Sequence, residues 1–437
     1  MSDWDFNLLE EWDKKICTLA EADGLEWHPI IYETCDYYEM IGHMSYHGLP
    51  SHYCHWSYGK TFERTHQLYN AGVEGLPYEL IINSNPSIAY LMRENPAYLQ
   101  LLIMCHCVGH SDFFKNNRMF SHTRPDSVTA RFRNARNRIQ EYIEDPSIGI
   151  TKVEKILDAA HTVKYQINRR HHHIKRLTHD ELKEDYTSRI RNDKNGEWAD
   201  FDIEKIPLEP DFDLLGFIVE HSKKLKPWER DLVDIVRSES LYFMPQIQTK
   251  IMNEGWASFW HYRLMHRLEL PQKYHIPFLK SHNQVIRPHI GGINPYHLGF
   301  ELFRKIEERH GIERCFMARE IGNDAAFLRE YLTEEDCHEL NLFSFSKKRA
   351  GYAIDEISDP EGWKLIKNDL IKNVGDGTIP KIYVDEVENN SMLILKHEHD
   401  GRDLELSYAD EVIKSIHTLW GDSVKLMTAV EEEPWEI

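Results

Sequence analysis

No stretch of this sequence approaches the roughly 18 apolar residues that a membrane-spanning helix requires. The first residues are acidic and amphipathic, and they lack the basic start and the small-residue cleavage site of a secretory signal. The seven cysteines are odd in number and form no CxxC pair, which is unlike a disulfide framework. We therefore expect a cytoplasmic protein without membrane insertion.

Positive charge is also scarce, because 52 Lys and Arg residues face 72 Asp and Glu residues, for a formal net charge of -20. That balance disfavours binding to nucleic acid or anionic lipid. The sequence contains no glycine-rich phosphate loop and no dinucleotide-binding fingerprint. Its 437 residues, 41% hydrophobic and 11% aromatic, predict a folded protein with more than one domain.

Hydrophobic periodicity predicts a mainly α (α+β) fold. A large helical domain is expected over residues 1–375, and a composition shift at 373–380 separates it from a small α+β module at 380–437. Helical pattern covers 5–22, 98–118, 127–175, 214–236 and 247–268, whereas the polar stretch 178–210 is expected to be an exposed loop or insertion. Strands are predicted at 27–33, 78–83, 381–387, 392–397 and 423–429.

One predicted helix carries His106 and His110, which are four residues apart and follow an apolar run. Residues at this spacing lie one turn apart on the same helix face, where two imidazoles can reach one cation. The alternative is a pair of structural histidines that bond to carbonyl or carboxylate groups.

A second predicted helix carries Glu254 among tryptophans and phenylalanines, with His261 on the same face. A carboxylate in such surroundings is costly to bury unless it is paired, so Glu254 is the candidate third metal ligand. His261 is a candidate fourth ligand, a partner of a ligand or an acid/base group. Zinc is favoured for two imidazoles and one carboxylate, although iron uses the same set.

This arrangement is similar to the zinc peptidases in which an HExxH helix is completed by a distant glutamate, and it predicts a zincin-like core. Cys107 stands where those enzymes have their general base, so any hydrolase activity would lack that glutamate. Cys107 is itself a candidate nucleophile, with a small core residue as the alternative. Asp112 would either orient a ligand histidine or be a surface or capping carboxylate.

Other histidines could belong to the functional site or could be ordinary packed or exposed residues. His282, His289 and His297 surround a glycine-rich turn at 291–296 and could form a wall of the pocket, or each could be packed or exposed. The run of two arginines and three histidines at 169–173 predicts a solvated face, because adjacent residues diverge on a helix.

Several long motifs also resemble one family, the stage V sporulation protein R (SpoVR) proteins. They include GLPSHYCHWSYGK, HCVGHSDFFKNN and GGINPYHLG, and the full set lies at residues 48–60, 79–86, 106–117, 252–257, 291–299, 400–402 and 419–421. The resemblance covers nearly the whole chain. The family's motif has His-x-x-x-His without a glutamate after the first histidine, so Cys107 is a family trait.

The resemblance implies a link to spore cortex formation or to stress and envelope regulation. It also implies two partners, a co-encoded serine protein kinase and a von Willebrand-type domain protein. Two functional hypotheses follow. The first is a metal-binding protein which, if it is an enzyme, is a metallohydrolase of amide-type substrates with His261 as acid/base group. The second is a non-enzymatic regulatory scaffold that acts with the kinase.

Overall fold

In a computed structural model of the chain, the described residues are 3–49, 51–71, 79–169, 177–192, 202–289, 292–348, 351–357, 359, 361–388 and 390–437. The helices are α1 (Phe6–Ala22), α2 (Tyr37–Ser45), α3 (Trp56–Asn70), α4 (Ala97–Asn116), α5 (Val128–Glu144), α6 (Ile150–Thr162), α7 (His179–Asn192), α8 (Leu214–His221), α9 (Pro227–Gln248), α10 (Lys250–Arg267), α11 (Gln272–Val285), α12 (Pro295–His310), α13 (Ile312–Ile321), α14 (Asp324–Tyr331), α15 (Glu334–Glu339), α16 (Gly362–Asn373) and α17 (Leu406–Trp420). The strands are β1 (Ile30–Cys35), β2 (Glu79–Ile82), β3 (Ser87–Met92), β4 (Phe343–Lys348), β5 (Gly351–Ile357), β6 (Ile382–Val387), β7 (Leu393–His397), β8 (Val424–Val430) and β9 (Glu433–Glu436).

The predicted mainly helical fold with small sheets is confirmed, and two of the predicted elements are corrected. The helix predicted over 127–175 is two helices, α5 and α6, because the chain turns at 145–149 and Gly149 adopts a positive φ of 79°. The exposed loop or insertion predicted over 178–210 contains α7. This helix is mostly polar, so hydrophobic periodicity did not reveal it. None of the helices in the described part of the chain has the length and apolar character that crossing a membrane requires.

The chain forms two compact units, Met1–Arg136 with Pro245–Thr378 (unit 1) and Asn137–Met244 with Ile379–Ile437 (unit 2). The predicted domain division at 375–380 stays a prediction. Unit 1 contains a three-stranded sheet in the order β1-β3-β2, with β1 parallel and β2 antiparallel to β3, and a hairpin of β4 and β5.

Unit 2 contains the four-stranded sheet β6-β7-β8-β9, in which β7 and β8 are parallel and are connected by α17. Two side chains near the end of α6 fasten the chain that leads into this sheet. Arg169 donates to the carbonyls of Ile379 and Pro380, and Gln166 donates to Pro380 and accepts from the Ile382 backbone. Arg169 is therefore buried, which contradicts the solvated face predicted for it, while residues 170–173 lie outside the described residues.

Helix α4 is the centre of unit 1. Every residue from Leu99 to Phe114 is buried, as expected for a helix that is apolar on nearly all sides. It packs against α1, the three-stranded sheet and α10, and α10 packs in turn against α12. The polar side chains of α4 are thereby held inside the core.

Glycines allow these helices to approach closely. A Cβ at Gly109 in α4 would lie 2.7 Å from the Ala257 Cα in α10. Gly255 in α10 faces Gly299 in α12, and a Cβ on either one would overlap the backbone of the other helix. These contacts fix the distance of α10 from both neighbours, and so the position of the side chains that α10 presents to α4.

We expect Gly299→Ala to destabilise the protein by about 1–3 kcal/mol, because the added methyl group would overlap the Ile251 carbonyl oxygen and force α10 and α12 apart. The matched control is Gly59→Ala in α3, where a Cβ meets no atom within 4 Å. That change should leave stability equal or raise it by up to about 1 kcal/mol. Urea unfolding followed by circular dichroism measures both, and equal midpoints for the two variants would contradict the close-packing argument.

Candidate metal centre

Three side chains from two helices converge in the core of unit 1. His106 and His110 extend from α4, and Glu254 extends from α10. Their possible ligand atoms all lie within 4.8 Å of one another. Glu254 Oε2 is 3.3 Å from His110 Nε2 and 3.8 Å from His106 Nε2. The structure therefore brings together the three residues that the sequence singled out.

The electrostatics of the cluster are unusual for a buried carboxylate. Glu254 Oε2 is buried and makes no hydrogen bond of normal geometry within the described part of the chain. Burial by itself raises the pKa of Glu254, but the two adjacent histidines outweigh it and hold that pKa well below its usual range. The site thus keeps an ionised carboxylate beside two imidazoles, and 17% of the Glu254 side chain still reaches the solvent.

The other ring nitrogens of both histidines are engaged. His110 Nδ1 lies 2.8 Å from Asn253 Oδ1, and an amide oxygen can only accept, so Nδ1 carries the proton. The Nε2 that faces Glu254 is consequently the lone-pair nitrogen in neutral His110. No role was predicted for Asn253 from the sequence, although its position directly before the candidate ligand Glu254 is a signal that could have pointed to it. Such a partner fixes both the tautomer and the ring orientation of a metal-binding histidine.

His106 is oriented through a chain of imidazoles. His106 Nδ1 lies 2.9 Å from His261 Nδ1, and His261 Nε2 lies 2.8 Å from His282 Nδ1. Burial lowers the pKa of His261 well below its ordinary value, and it lowers that of His282 to about 4. Both rings are therefore neutral at pH 7. His261 contacts the side of His106 that faces away from Glu254, and its acid/base role stays a prediction.

Cys107 follows His106 in sequence but is not part of the cluster. Its exposed fraction is 0%, and it packs in the hydrophobic core of unit 1. This position is that of a small core residue, and its role as a nucleophile stays a prediction. His289 is exposed and His297 is half-buried, with a pKa that burial lowers. Part of the turn they flank, Gly291, lies outside the described residues.

Asp112 has a different role from the two predicted for it. It is fully buried and pairs with Arg319 at 2.9 Å, while Trp256 Nε1 and the Glu26 backbone N–H also donate to it at 2.8 Å. Burial raises the pKa of Asp112 to about 6, although Arg319 opposes the shift. Because Trp256 lies two residues beyond Glu254, this bond holds α10 against α4 near the cluster.

One further aromatic ring stands beside the cluster. Tyr296, at the start of α12, lies nearly parallel to the His106 ring with 6.2 Å between ring centroids, and it is half-buried. Asn294 caps the same helix by accepting from the Tyr296 N–H. The turn before α12 thus places a phenol near the two helices that carry the candidate ligands.

Comparison with known proteins agrees with the motifs. The family model described as "SpoVR like protein" matches residues 3–379, and "SpoVR-like C-terminal domain" matches residues 380–431. The chain belongs to the SpoVR family. It is similar to the uncharacterized protein YcgB of Escherichia coli (strain K12), with 32% identity over 100% of this chain and 94% of that protein. No solved structure matches this SpoVR family member.

Replacing Asp112 should destabilise this SpoVR family member strongly. In Asp112→Asn the buried Arg319 loses its buried counter-charge and keeps only the exposed Glu320 at 3.6 Å, and breaking a buried pair in this way costs about 3–5 kcal/mol. The control is Glu10→Gln, which removes an exposed ion pair with Lys14 and should leave stability unchanged. The urea unfolding midpoints of the two variants measure this effect. A wild-type midpoint for Asp112→Asn would show that the Asp112–Arg319 pair does not contribute this much to stability.

Stability should fall as the pH drops from 6.5 to 4, partly through His282. Folding holds its pKa at about 4, below the ordinary 6.5, so the folded state favours the neutral ring. This contribution is present in full above pH 6.5 and is lost as the pH falls through 4; it amounts to at most about 3 kcal/mol. We expect His282→Gln to flatten the pH dependence of the unfolding free energy, whereas His289→Gln, at an exposed position, should not change it.

Proposed function

We propose that this SpoVR family protein binds one divalent metal ion through His106 Nε2, His110 Nε2 and a carboxylate oxygen of Glu254. The observation that carries the proposal is the buried Glu254 Oε2, which faces two imidazole nitrogens and accepts no hydrogen bond of normal geometry among the described residues. Burying an ionised carboxylate is costly unless a positive charge offsets it. A metal ion bound between these imidazole nitrogens and the carboxylate oxygen would supply that charge.

The donor set also fits a metal chemically. Two imidazole nitrogens and one carboxylate oxygen are a common set for zinc and are also used by iron. Asn253 holds His110 with Nε2 as the lone-pair nitrogen, the form that a metal requires. Zinc is our preferred ion, and iron is the alternative. The remaining exposure of Glu254 leaves a route by which small molecules could reach the site.

We further propose a hydrolytic role, with an amide-type substrate. A bound zinc ion supplies Lewis-acid activation of water and of a carbonyl group. The chain itself offers no carboxylate at position 107, so proton transfer would fall to other groups. His261 contacts the site through His106, and the phenol of Tyr296 is another titratable group near it. In the cell, we place this activity in sporulation or in stress and envelope regulation.

Metal analysis tests the proposal. Tag-free wild-type protein should contain about one zinc or iron per chain by inductively coupled plasma mass spectrometry, and His110→Ala and Glu254→Gln should lose it. Asn253→Ala should bind the metal about 10- to 100-fold more weakly, because the ring of His110 loses its partner. His289→Ala, an exposed histidine outside the cluster, should retain full metal content.

A second readout is independent of activity. Added zinc should raise the Tm of metal-free wild-type protein and should not raise that of Glu254→Gln, since binding to the folded state alone stabilises it. Folded wild-type protein that contains no metal, even after anaerobic purification and supplementation with zinc and iron, would contradict the proposal. In that case the cluster is a buried polar network, and the regulatory scaffold acting with a serine protein kinase and a von Willebrand-type domain protein becomes the leading hypothesis.

A further inference from the structure

A separate cavity of about 500 Å³ lies in unit 1, between α1, the segment that leads into β1, and α4. Its volume is within the range of small-molecule sites. The residues that line it come from all three elements: Asp13, Cys17, Glu21, Leu25, Glu26, Trp27, Pro29, Ile30, Tyr32, Val108 and Lys115. Neither candidate metal-ligand histidine lines this cavity.

The cavity and the candidate metal centre use opposite sides of one helix. Val108 lines the cavity, and it is two residues from both His106 and His110. Two residues correspond to about 200° of rotation around a helix, so Val108 faces away from both histidines. A ligand in this cavity would therefore contact the back of the helix that carries the cluster.

The charge around the cavity is mainly negative. Lys115 is 3.7 Å from Glu26, so these two side chains offset each other. Asp13 and Glu21 have no ion pair among the described residues, since the nearby Lys14 ammonium bonds to Glu10 at 2.8 Å. Asp13 is half-buried, and burial raises its pKa. Asp13, which accepts from the Cys17 thiol at 3.9 Å, thus has no cationic partner among the described residues, and the exposed Glu21 borders the rim of the cavity.

The remaining wall is apolar and aromatic. Trp27 and Tyr32 are half-buried beside the side chains of Leu25 and Ile30. Aromatic faces attract ammonium and guanidinium groups, and the aliphatic side chains suit a hydrocarbon stem. The segment is also fixed in place, because the Glu26 N–H donates to Asp112 and Asn116 donates to the Glu26 carbonyl. The walls are consequently formed before any ligand arrives.

We infer that this cavity binds a small organic cation, namely a primary amine or guanidinium on an apolar stem. Asp13 would bind the charged group, and Trp27 and Tyr32 would pack on the stem. Glu21 lies eight residues further along α1, about 12 Å away, so it would only add to the negative potential at the rim of the cavity. An anion would be repelled by the two carboxylates, and a neutral ligand would not offset the charge of Asp13. The inference goes beyond the proposed metal function and does not depend on it.

Isothermal titration calorimetry of the full chain with phenethylamine tests the inference. Saturable binding is expected, and 2-phenylethanol and 3-phenylpropionate, which match its size but not its charge, should bind much more weakly or not at all. Asp13→Asn should weaken amine binding about tenfold, as loss of a charged hydrogen-bond partner does. Glu21→Gln, at the exposed rim, should weaken it less. The control Glu11→Gln, an exposed position of α1 that does not line the cavity, should bind like the wild type.

Two further binding measurements complete the experiment. Glu254→Gln should retain amine binding, which separates this site from the candidate metal centre. Butylamine and Nα-acetyl-lysine methylamide distinguish the source of the cation: binding of both indicates that a lysine side chain of a protein can enter, and binding of butylamine alone indicates a free amine. Absence of saturable amine binding, equal binding of 2-phenylethanol, or wild-type affinity in Asp13→Asn would overturn the inference.

Discussion

The organisation of unit 1 depends on one costly interaction, the burial of the Glu254 carboxylate against His106 and His110. Its Oε2 is 3.3 Å and 3.8 Å from two imidazole nitrogens, and the adjacent histidines keep it ionised inside the core. Such a charge is stable only if the surrounding groups are held in fixed positions. Neighbouring hydrogen-bond contacts fix these positions: Asn253 contacts His110, and His261 contacts His106.

The close packing of α10 against α4 brings Glu254 near His106 and His110. Glycines at 109, 255 and 299 bring α10 close to α4 and α12, and the bonds of Asp112 to Trp256 and Arg319 hold the same helices from the side. The N-terminus of α10 is capped from a distance, because Asp324 accepts from the Ile251 and Met252 N–H groups at 2.8 and 2.9 Å. Glu254 lies in the first turns of that helix, so the cap also fixes its position.

Local patterns in the sequence predicted the helices that carry the cluster and the residues His106, His110 and Glu254, because spacing along one helix determines which side chains share a face. Contacts between distant segments could not be predicted in this way, because they depend on how the helices pack together. Asp112 meets Arg319 across 207 residues of sequence, and His261 meets His106 across 155. Helix α7 was missed because its mostly polar sequence shows little hydrophobic periodicity. The contact of Gly255 with Gly299 could not be predicted, because it joins two separate helices.

X-ray absorption spectroscopy of the zinc-loaded protein is the sharpest test of the proposal that this cluster binds a metal. Two imidazole nitrogens and oxygen ligands are expected, with zinc–nitrogen distances of about 2.0–2.1 Å and no sulfur. Loss of the imidazole contribution in a protein without the His106 and His110 side chains would assign the nitrogens. A sulfur ligand at about 2.3 Å, or a zinc ion without imidazole ligands, would show that the ion is not bound by His106, His110 and Glu254.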